Sequence, residues 1–297
     1  MKGGRPAATT HDVVTPRVSR FTDFITLTKP RLNSLVVVTT GVGYLATGTP
    51  VDVATLANTT IGAALVAGAA AVLNQIAERD LDERMERTRD RPLAAGRLQP
   101  AEAAWFAAVL GLVGLLQIAI GANSTAAVLA LATLVSYTGV YTPLKRHTHW
   151  AVLVGAVPGG LPVLIGWAAA PPVSAAAWSL FALVFMWQLP QFIALTRLYS
   201  DDFAKAKLPL LAVTDPTGQR AARHLLVYSV LLIPVSLTPA WLGVASTDHA
   251  VGTGIVGLAL LGVAIWFASH RSADRARVLF RATLTYLPIV WILLLTT

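Results

Sequence analysis

Asn74, Glu78 and Asp82 stand four residues apart in NQIAERDLDERMERTRDRPL, residues 74–93, at the end of a long apolar stretch. On a helix, positions i, i+4 and i+8 share a face, so this spacing brings one amide and two carboxylates together. Asp80 falls off that face unless the helix unwinds there. Amide and carboxylate oxygens are the donors that a hard cation such as Mg²⁺ takes, and Mg²⁺ commonly bridges carboxylates to substrate phosphates. The same segment carries Arg79, Arg84, Arg87, Arg89 and Arg91, whose planar guanidinium groups suit phosphate oxygens. Acids that hold a metal beside arginines that hold an anion are what a metal–diphosphate complex needs. A solvated loop of balanced charge would have the same composition, because exposed ion pairs contribute little. Asn74 weighs against that account: it falls within the last turns of the apolar stretch, where a polar side chain is costly.

Three further groups could work with this column. Asp201 and Asp202, in RLYSDDFAKAKLP, again place acids and cations directly after an apolar stretch, and two such clusters could bind two halves of one metal–diphosphate assembly. A plain connector reads equally well there. Tyr141, Lys145 and Arg146 lie in the short basic segment YTPLKR, which fits either substrate anions or lipid headgroups. Gln188 and Gln191, in WQLPQF, are polar within an apolar run and three residues apart, so each needs a partner or a ligand. The six histidines show no metal-ligand spacing, and with no cysteine disulfides, thiolate zinc sites and a cysteine nucleophile are excluded.

The elements that position these groups follow from the distribution of charge. Only 13% of residues are charged and 55% are hydrophobic, against about a quarter charged in soluble domains. A transmembrane helix needs roughly 20 apolar residues. Stretches free of Asp, Glu, Lys and Arg give Leu32–Val51 and Val53–Ala77 as single spans. Ala103–Leu144 and His147–Thr196 are each long enough for two, divided at Gly121–Ser124 and Ala170–Ser174. Leu225–Thr247, Ala250–Ser269 and a last span from about Val278 complete an all-α bundle of nine transmembrane helices. With that count, all 23 Lys and Arg residues fall in 1–31, 78–102, 145–150, 197–224 and 270–281, and none in the alternate loops. The positive-inside rule then puts the N-terminus in the cytoplasm and the C-terminus outside. Of the 15 acids only Asp52 and Asp248 lie on the outer side, so the chemistry belongs to the cytoplasmic face. Residues 1–20 read as a disordered cytosolic tail without a cleaved signal, and 21–297 as one membrane domain. The net charge of +8 is sorted to one side of a bilayer and needs no nucleic-acid partner.

The 74–93 segment resembles the signature loop of the UbiA-type membrane prenyltransferases. Thr28–Arg31 (TKPR), YTPLKR at 141–146, LPVLIGW at 161–167, WQLPQF at 187–192 and DDFAKAKLPLL at 201–211 are similar to the haem-farnesylating branch, the protohaem IX farnesyltransferases. The resemblance implies a nine-helix bundle around a cavity open to the cytoplasmic side and the lipid. Farnesyl diphosphate would be the donor and haem B a substrate, the acceptor. It implies Mg²⁺–diphosphate held by Asn74, Glu78 and Asp82 with Asp80 nearby, and Asp201 and Asp202 as the second cluster, Asp202 also on the metal. Arg87, Arg91, Lys145 and Arg146 would meet the diphosphate, and Tyr141, Gln188 and Gln191 the substrates. It also suggests a bacterial inner membrane and hand-off to haem A synthase or terminal oxidase assembly.

The chain departs from that pattern at Leu189 for a proline, Gln191 for a histidine and Lys207 for a glycine, and it lacks the usual Asn-Ile after Thr148. Gln191 leaves open a different aromatic or quinone-precursor acceptor. A transporter is the reading from another class, but the spans hold none of the mid-membrane acids or bases that transporters use.

Overall fold

The computed structural model describes residues 19–215 and 217–296; the expected tail, 1–20, lies outside the described residues up to position 18. Ser19 and Arg20 instead open the first helix. The described residues form helices and turns with no strand. They are α1 (Arg20–Leu27), α2 (Pro30–Leu45), α3 (Val53–Ala77), α4 (Arg79–Asp82), α5 (Pro100–Gly121) and α6 (Ser124–Leu144). Then follow α7 (Ala151–Ala168), α8 (Ala175–Leu198), α9 (Ser200–Lys205), α10 (Leu211–Thr214), α11 (Gln219–Trp241), α12 (Thr247–Ser269) and α13 (Ala273–Thr296).

Local chemistry starts these helices where they start. Pro30 and Pro100 occupy first-turn positions, where a missing N–H costs nothing. Asp52, Asn123 and Ser246 accept the N–H groups of Ala54, Ala126 and His249 at 3.0, 2.9 and 3.1 Å and so cap α3, α6 and α12. The Asp215 carboxylate does the same for α11, accepting from Arg220 and Ala221 at 2.7 and 3.1 Å.

Eight helices among the described residues are long and apolar enough to cross a membrane: α3, α5, α6, α7, α8, α11, α12 and α13. The first expected span is shorter than its charge-free stretch. Helix α2 has 16 residues and stops at Leu45, because Gly48 turns left-handed (φ 67°) and Pro50 follows. At about 1.5 Å per residue it is roughly 24 Å long. Outward faces carry large apolar side chains, with Ile120 84%, Trp105 75% and Trp241 70% exposed. Such a surface matches lipid, and the chain is a multi-pass membrane protein.

The helices pack in a ring, α2–α3–α5–α6–α7–α8–α11–α12–α13, which closes where α13 meets α2. Helix α7 also lies along α2, and α8 along α13. The α2–α7 seam depends on two glycines. A Cβ on Gly166 would sit 1.8 Å from the Thr40 carbonyl oxygen, and one on Gly43 would sit 2.1 Å from that of Val163, so only glycine permits this backbone approach. Trp187 Nε1 donates to the Thr283 carbonyl at 2.7 Å and ties α8 to α13 inside the main apolar core.

Candidate functional site

The helix that carries the acidic column breaks once, at Glu78, whose φ and ψ of −107° and 10° are not helical. The hydrogen bonds continue through the break, from Glu78 N to Asn74 O at 3.0 Å and from Asp82 N to Glu78 O at 2.8 Å. The i, i+4, i+8 register therefore survives. Asn74, Glu78 and Asp82 are 2, 3 and 1% exposed, so all three polar groups lie inside the protein. Asp80 points away and is exposed.

Each buried group has a cation. Lys29 Nζ donates to Asn74 Oδ1 at 3.3 Å, while Asn74 Nδ2 donates to Thr142 Oγ1 at 3.2 Å. Lys145 is ion-paired with Glu78. Arg91 Nη1 lies 2.8 Å from both Asp82 oxygens. Outside this row, Arg146 pairs with Asp80 at 3.0 Å and also donates to the Ala77 carbonyl, closing the end of α3. The short basic segment between α6 and α7 is thus folded onto the acidic one.

Lys29 is a residue for which the sequence reading assigned no role. It sits in a left-handed conformation (φ 50°) between α1 and α2, and burial, reinforced by the nearby Arg91, lowers its pKa to about 7. The signal in the sequence was a lysine immediately before the proline that starts α2. Lys29 also lines a cavity of about 230 Å³ between α2, α3, α6, α7 and α8, whose walls include Thr39, Val66, Tyr137, Pro162 and Trp187.

Gln188 belongs to the same wall. Its Nε2 donates to the carbonyls of Val184 and Ala156 at 3.0 and 3.3 Å, so the amide is held across the α7–α8 seam. Gln191 is half-buried and lines neither this cavity nor the smaller pocket beyond it. Tyr141 packs on Tyr137, ring centroids 5.3 Å apart, with Lys145 Nζ 5.7 Å from its own ring centroid. It therefore flanks the column without reaching the cavity wall.

The two acidic segments meet. The Asp202 carboxylate accepts the backbone N–H groups of Glu86 and Arg87 at 3.2 and 3.3 Å, and the Arg87 guanidinium lies 4.8 Å over the Tyr199 ring. Leu81 and Met85 from the first segment pack with Phe203, Ala206, Leu208 and Leu210 from the second. Asp201, beside it, is exposed. Asp202 thus engages the first loop's backbone, and Arg87 is held over the second loop's tyrosine.

The donor set suits a hard divalent ion in type. Asn74, Glu78 and Asp82 offer only amide and carboxylate oxygens, and Lys29, which bonds Asn74, lines the apolar cavity. Among the described residues no three His, Cys, Asp or Glu side chains form a closed metal cage, so a metal here would share its coordination sphere with water or a substrate anion. The surrounding Lys29, Arg87, Arg91 and Lys145 suit such an anion.

The chain matches the UbiA prenyltransferase family over residues 34–287. It is 39% identical over 285 residues to the protoheme IX farnesyltransferase of Solibacter usitatus, covering 92% of this chain and 97% of that one. It is 42% identical over 269 residues to that of Myxococcus xanthus, covering 89 and 90%. A digeranylgeranylglyceryl phosphate synthase structure superposes with a TM-score of 0.78 at 16% identity, covering 94% of this chain and 98% of that one. A UbiA homolog from Archaeoglobus fulgidus bound to GPP and Mg²⁺ superposes with a TM-score of 0.66 at 13% identity, covering 93 and 100%. At these identities the shared property is the fold.

Proposed function

We propose, since the chain belongs to the UbiA prenyltransferase family, that it transfers the farnesyl group of farnesyl diphosphate to a vinyl group of haem B, giving haem O and diphosphate. The relatives at about 40% identity, all named for that reaction, support the choice of donor and acceptor. The observation that carries the chemistry is the buried column of Asn74, Glu78 and Asp82. It is joined through Lys29 to the wall of an apolar cavity.

The reaction breaks the allylic C–O bond and must keep the resulting cation from water. Asn74, Glu78 and Asp82, with Asp202 from the facing loop, would hold Mg²⁺, as the Mg²⁺-bound structural neighbour suggests. Bound there, the ion neutralises charge on the diphosphate oxygens. Arg87, Arg91 and Lys145 add positive charge where negative charge grows on the leaving group, which is stabilisation aimed at the transition state, and Lys29, with its pKa lowered to about 7, adds to it when protonated. Arg146 and Asp80 brace the rim, and Asp201 stays at the surface. The apolar cavity takes the isoprenoid tail and excludes water from the allylic carbon. The vinyl π electrons then form the new C–C bond. Water adds to the cation left on the acceptor and gives up a proton, which yields the hydroxyalkyl product. Gln188 faces this space and Tyr141 supports Lys145.

In the membrane, α2 is the ninth crossing, and the segments bearing all Lys and Arg face the cytoplasm of a bacterial inner membrane. The site then opens on that side. The bundle acts as one domain, and haem O passes to a haem A synthase or an oxidase under assembly. The test is mass spectrometry of haem from a host lacking haem O synthase activity, with and without this protein. Farnesyl-hydroxyethyl haem that appears with the chain and is lost with Asp82→Asn supports the reading. Its absence from a well-inserted protein overturns it.

A further inference from the structure

Between Ser136 and Tyr141, helix α6 widens into a π-turn. Such turns are rare and sit frequently at functional sites. This one is fastened to the acidic column. The backbone N–H of Thr142 donates to the Tyr137 carbonyl, and so does the Thr142 hydroxyl, at 2.8 Å. The same hydroxyl accepts from Asn74 Nδ2 at 3.2 Å. In a regular α-helix, positions five apart are turned by about 140° from one another, and the π-turn brings Thr142 back under Tyr137. We propose that the residue placed in this way, Tyr137, is a further catalytic residue: its hydroxyl donates a hydrogen bond to the bridging oxygen of the prenyl diphosphate, the oxygen from which the allylic carbon departs. The proposal rests on the prenyl-transfer reading above and holds for any acceptor.

The side chain stands at the junction of two environments. Its ring lines the apolar cavity with Lys29, Val66 and Trp187, and its hydroxyl faces the charges of Lys145, Glu78 and Arg91. With the isoprenoid tail in the cavity and the diphosphate among those cations, the C–O bond to be broken lies between them. The Tyr137 hydroxyl makes no hydrogen bond among the described residues. A hydroxyl set in an apolar wall without a partner is costly, and a phenylalanine would fill the wall as well. The neutral phenol is a hydrogen-bond donor, and the bridging oxygen is the polar atom that the bound donor would bring to this junction. Tyr141, with Lys145 Nζ 5.7 Å from its ring centroid, backs the Tyr137 ring but does not line the cavity. The two tyrosines are therefore not interchangeable.

As the allylic C–O bond breaks, both of its electrons stay on the bridging oxygen. The phenol answers the growing charge with a hydrogen bond and keeps its own proton. A bond of this kind is stronger in the transition state than in the bound substrate. Its loss lowers kcat and leaves KM nearly unchanged.

The test is kinetic, on the full chain in lipid nanodiscs with farnesyl diphosphate, Mg²⁺ and haem B. Tyr137→Phe keeps the ring and its packing on Tyr141. It is expected to lower kcat at least tenfold, with KM for farnesyl diphosphate within twofold and the thermal midpoint unchanged. A second donor, with sulfur in place of the bridging oxygen, accepts hydrogen bonds poorly. With it, wild type and Tyr137→Phe should turn over within twofold of one another. A kcat within twofold of wild type on the oxygen donor overturns the proposal, and so does an equal loss on both donors, which is what a packing defect would give. Diphosphate release without haem reads the same bond-breaking step and separates the two readings. Release that depends on Tyr137, with no haem O formed, refutes only the choice of acceptor. Haem O formed equally by wild type and Tyr137→Phe refutes only the role of this tyrosine.

Discussion

Arg91 Nη1 sits 2.8 Å from both carboxylate oxygens of Asp82, and the Asp82 side chain is only 2% exposed. This is a buried ion pair nine residues apart in the chain, bent back on itself by the loop after α4. Removing one partner of such a pair typically costs about 3–5 kcal/mol, because a charge is left buried and uncompensated. Arg91→Met is therefore expected to lower the thermal midpoint in detergent by several degrees and to reduce turnover at least a hundredfold. Arg91→Met combined with Asp82→Asn removes both charges and should recover most of the midpoint but none of the turnover. Recovery of turnover in the double variant would show that neither group serves the reaction.

Asp202 makes a different prediction because its carboxylate accepts backbone N–H groups of the other loop. Asp202→Ala frees two donors and should loosen 83–91 without touching the bundle core. Trypsin cleavage after Arg84, Arg87 or Arg89 should rise several-fold, and KM for farnesyl diphosphate should rise about tenfold. Charge-assisted bonds of this kind contribute about 1.5–3 kcal/mol each. Unaltered proteolysis would mean that the loop is held by Leu81, Met85 and their apolar neighbours alone.

These two contacts mark the limit of what the sequence displays. The column of Asn74, Glu78 and Asp82 was legible because helical periodicity survives a single break at Glu78. The long helices were legible because lipid excludes charge, so the helix ends on one side are written in Arg, Lys and acids, and those on the other in short turns. The end of α2 at Leu45 was less so: apolar residues continue to Ala46, and it is the left-handed Gly48 that stops the helix. From the sequence, Lys29 reads as part of a supporting motif and Asp202 as a candidate ligand. Their surroundings are tertiary. Asn74 lies 45 residues from Lys29 in the chain, Arg87 lies 115 from Asp202, and no periodicity links such positions.

Lys207 shows how a departure in sequence acquires meaning from geometry. The resembling family has glycine there, and Lys207 is held at φ 55°, in the left-handed region that costs a residue with a Cβ about 1–2 kcal/mol. Lys207→Gly should remove that cost. A gain of about 1 kcal/mol raises the midpoint of a large domain by roughly 2–4 °C, and turnover should be unchanged because Lys207 touches neither column nor cavity. A lower midpoint would show that the ammonium group makes a stabilising contact that outweighs the backbone.

Gly159 and Gln188 give the last prediction. A Cβ on Gly159 would lie 1.9 Å from Gln188 Oε1, closer than any side chain tolerates, so Gly159→Ala must push the Gln188 amide out of its place on α7. The displaced amide loses its bonds to Ala156 and Val184 and can move only into the cavity that both residues line. The wall then narrows beside Trp187, where the tail of the donor is placed. Turnover with farnesyl diphosphate should fall more than tenfold, while turnover with the shorter geranyl diphosphate should fall less, reversing part of the preference for the longer donor. Gln188→Ala in the Gly159→Ala background removes the displaced group and should restore farnesyl transfer. Equal losses with both donors in Gly159→Ala, and no rescue in the double variant, would move the isoprenoid tail out of this cavity.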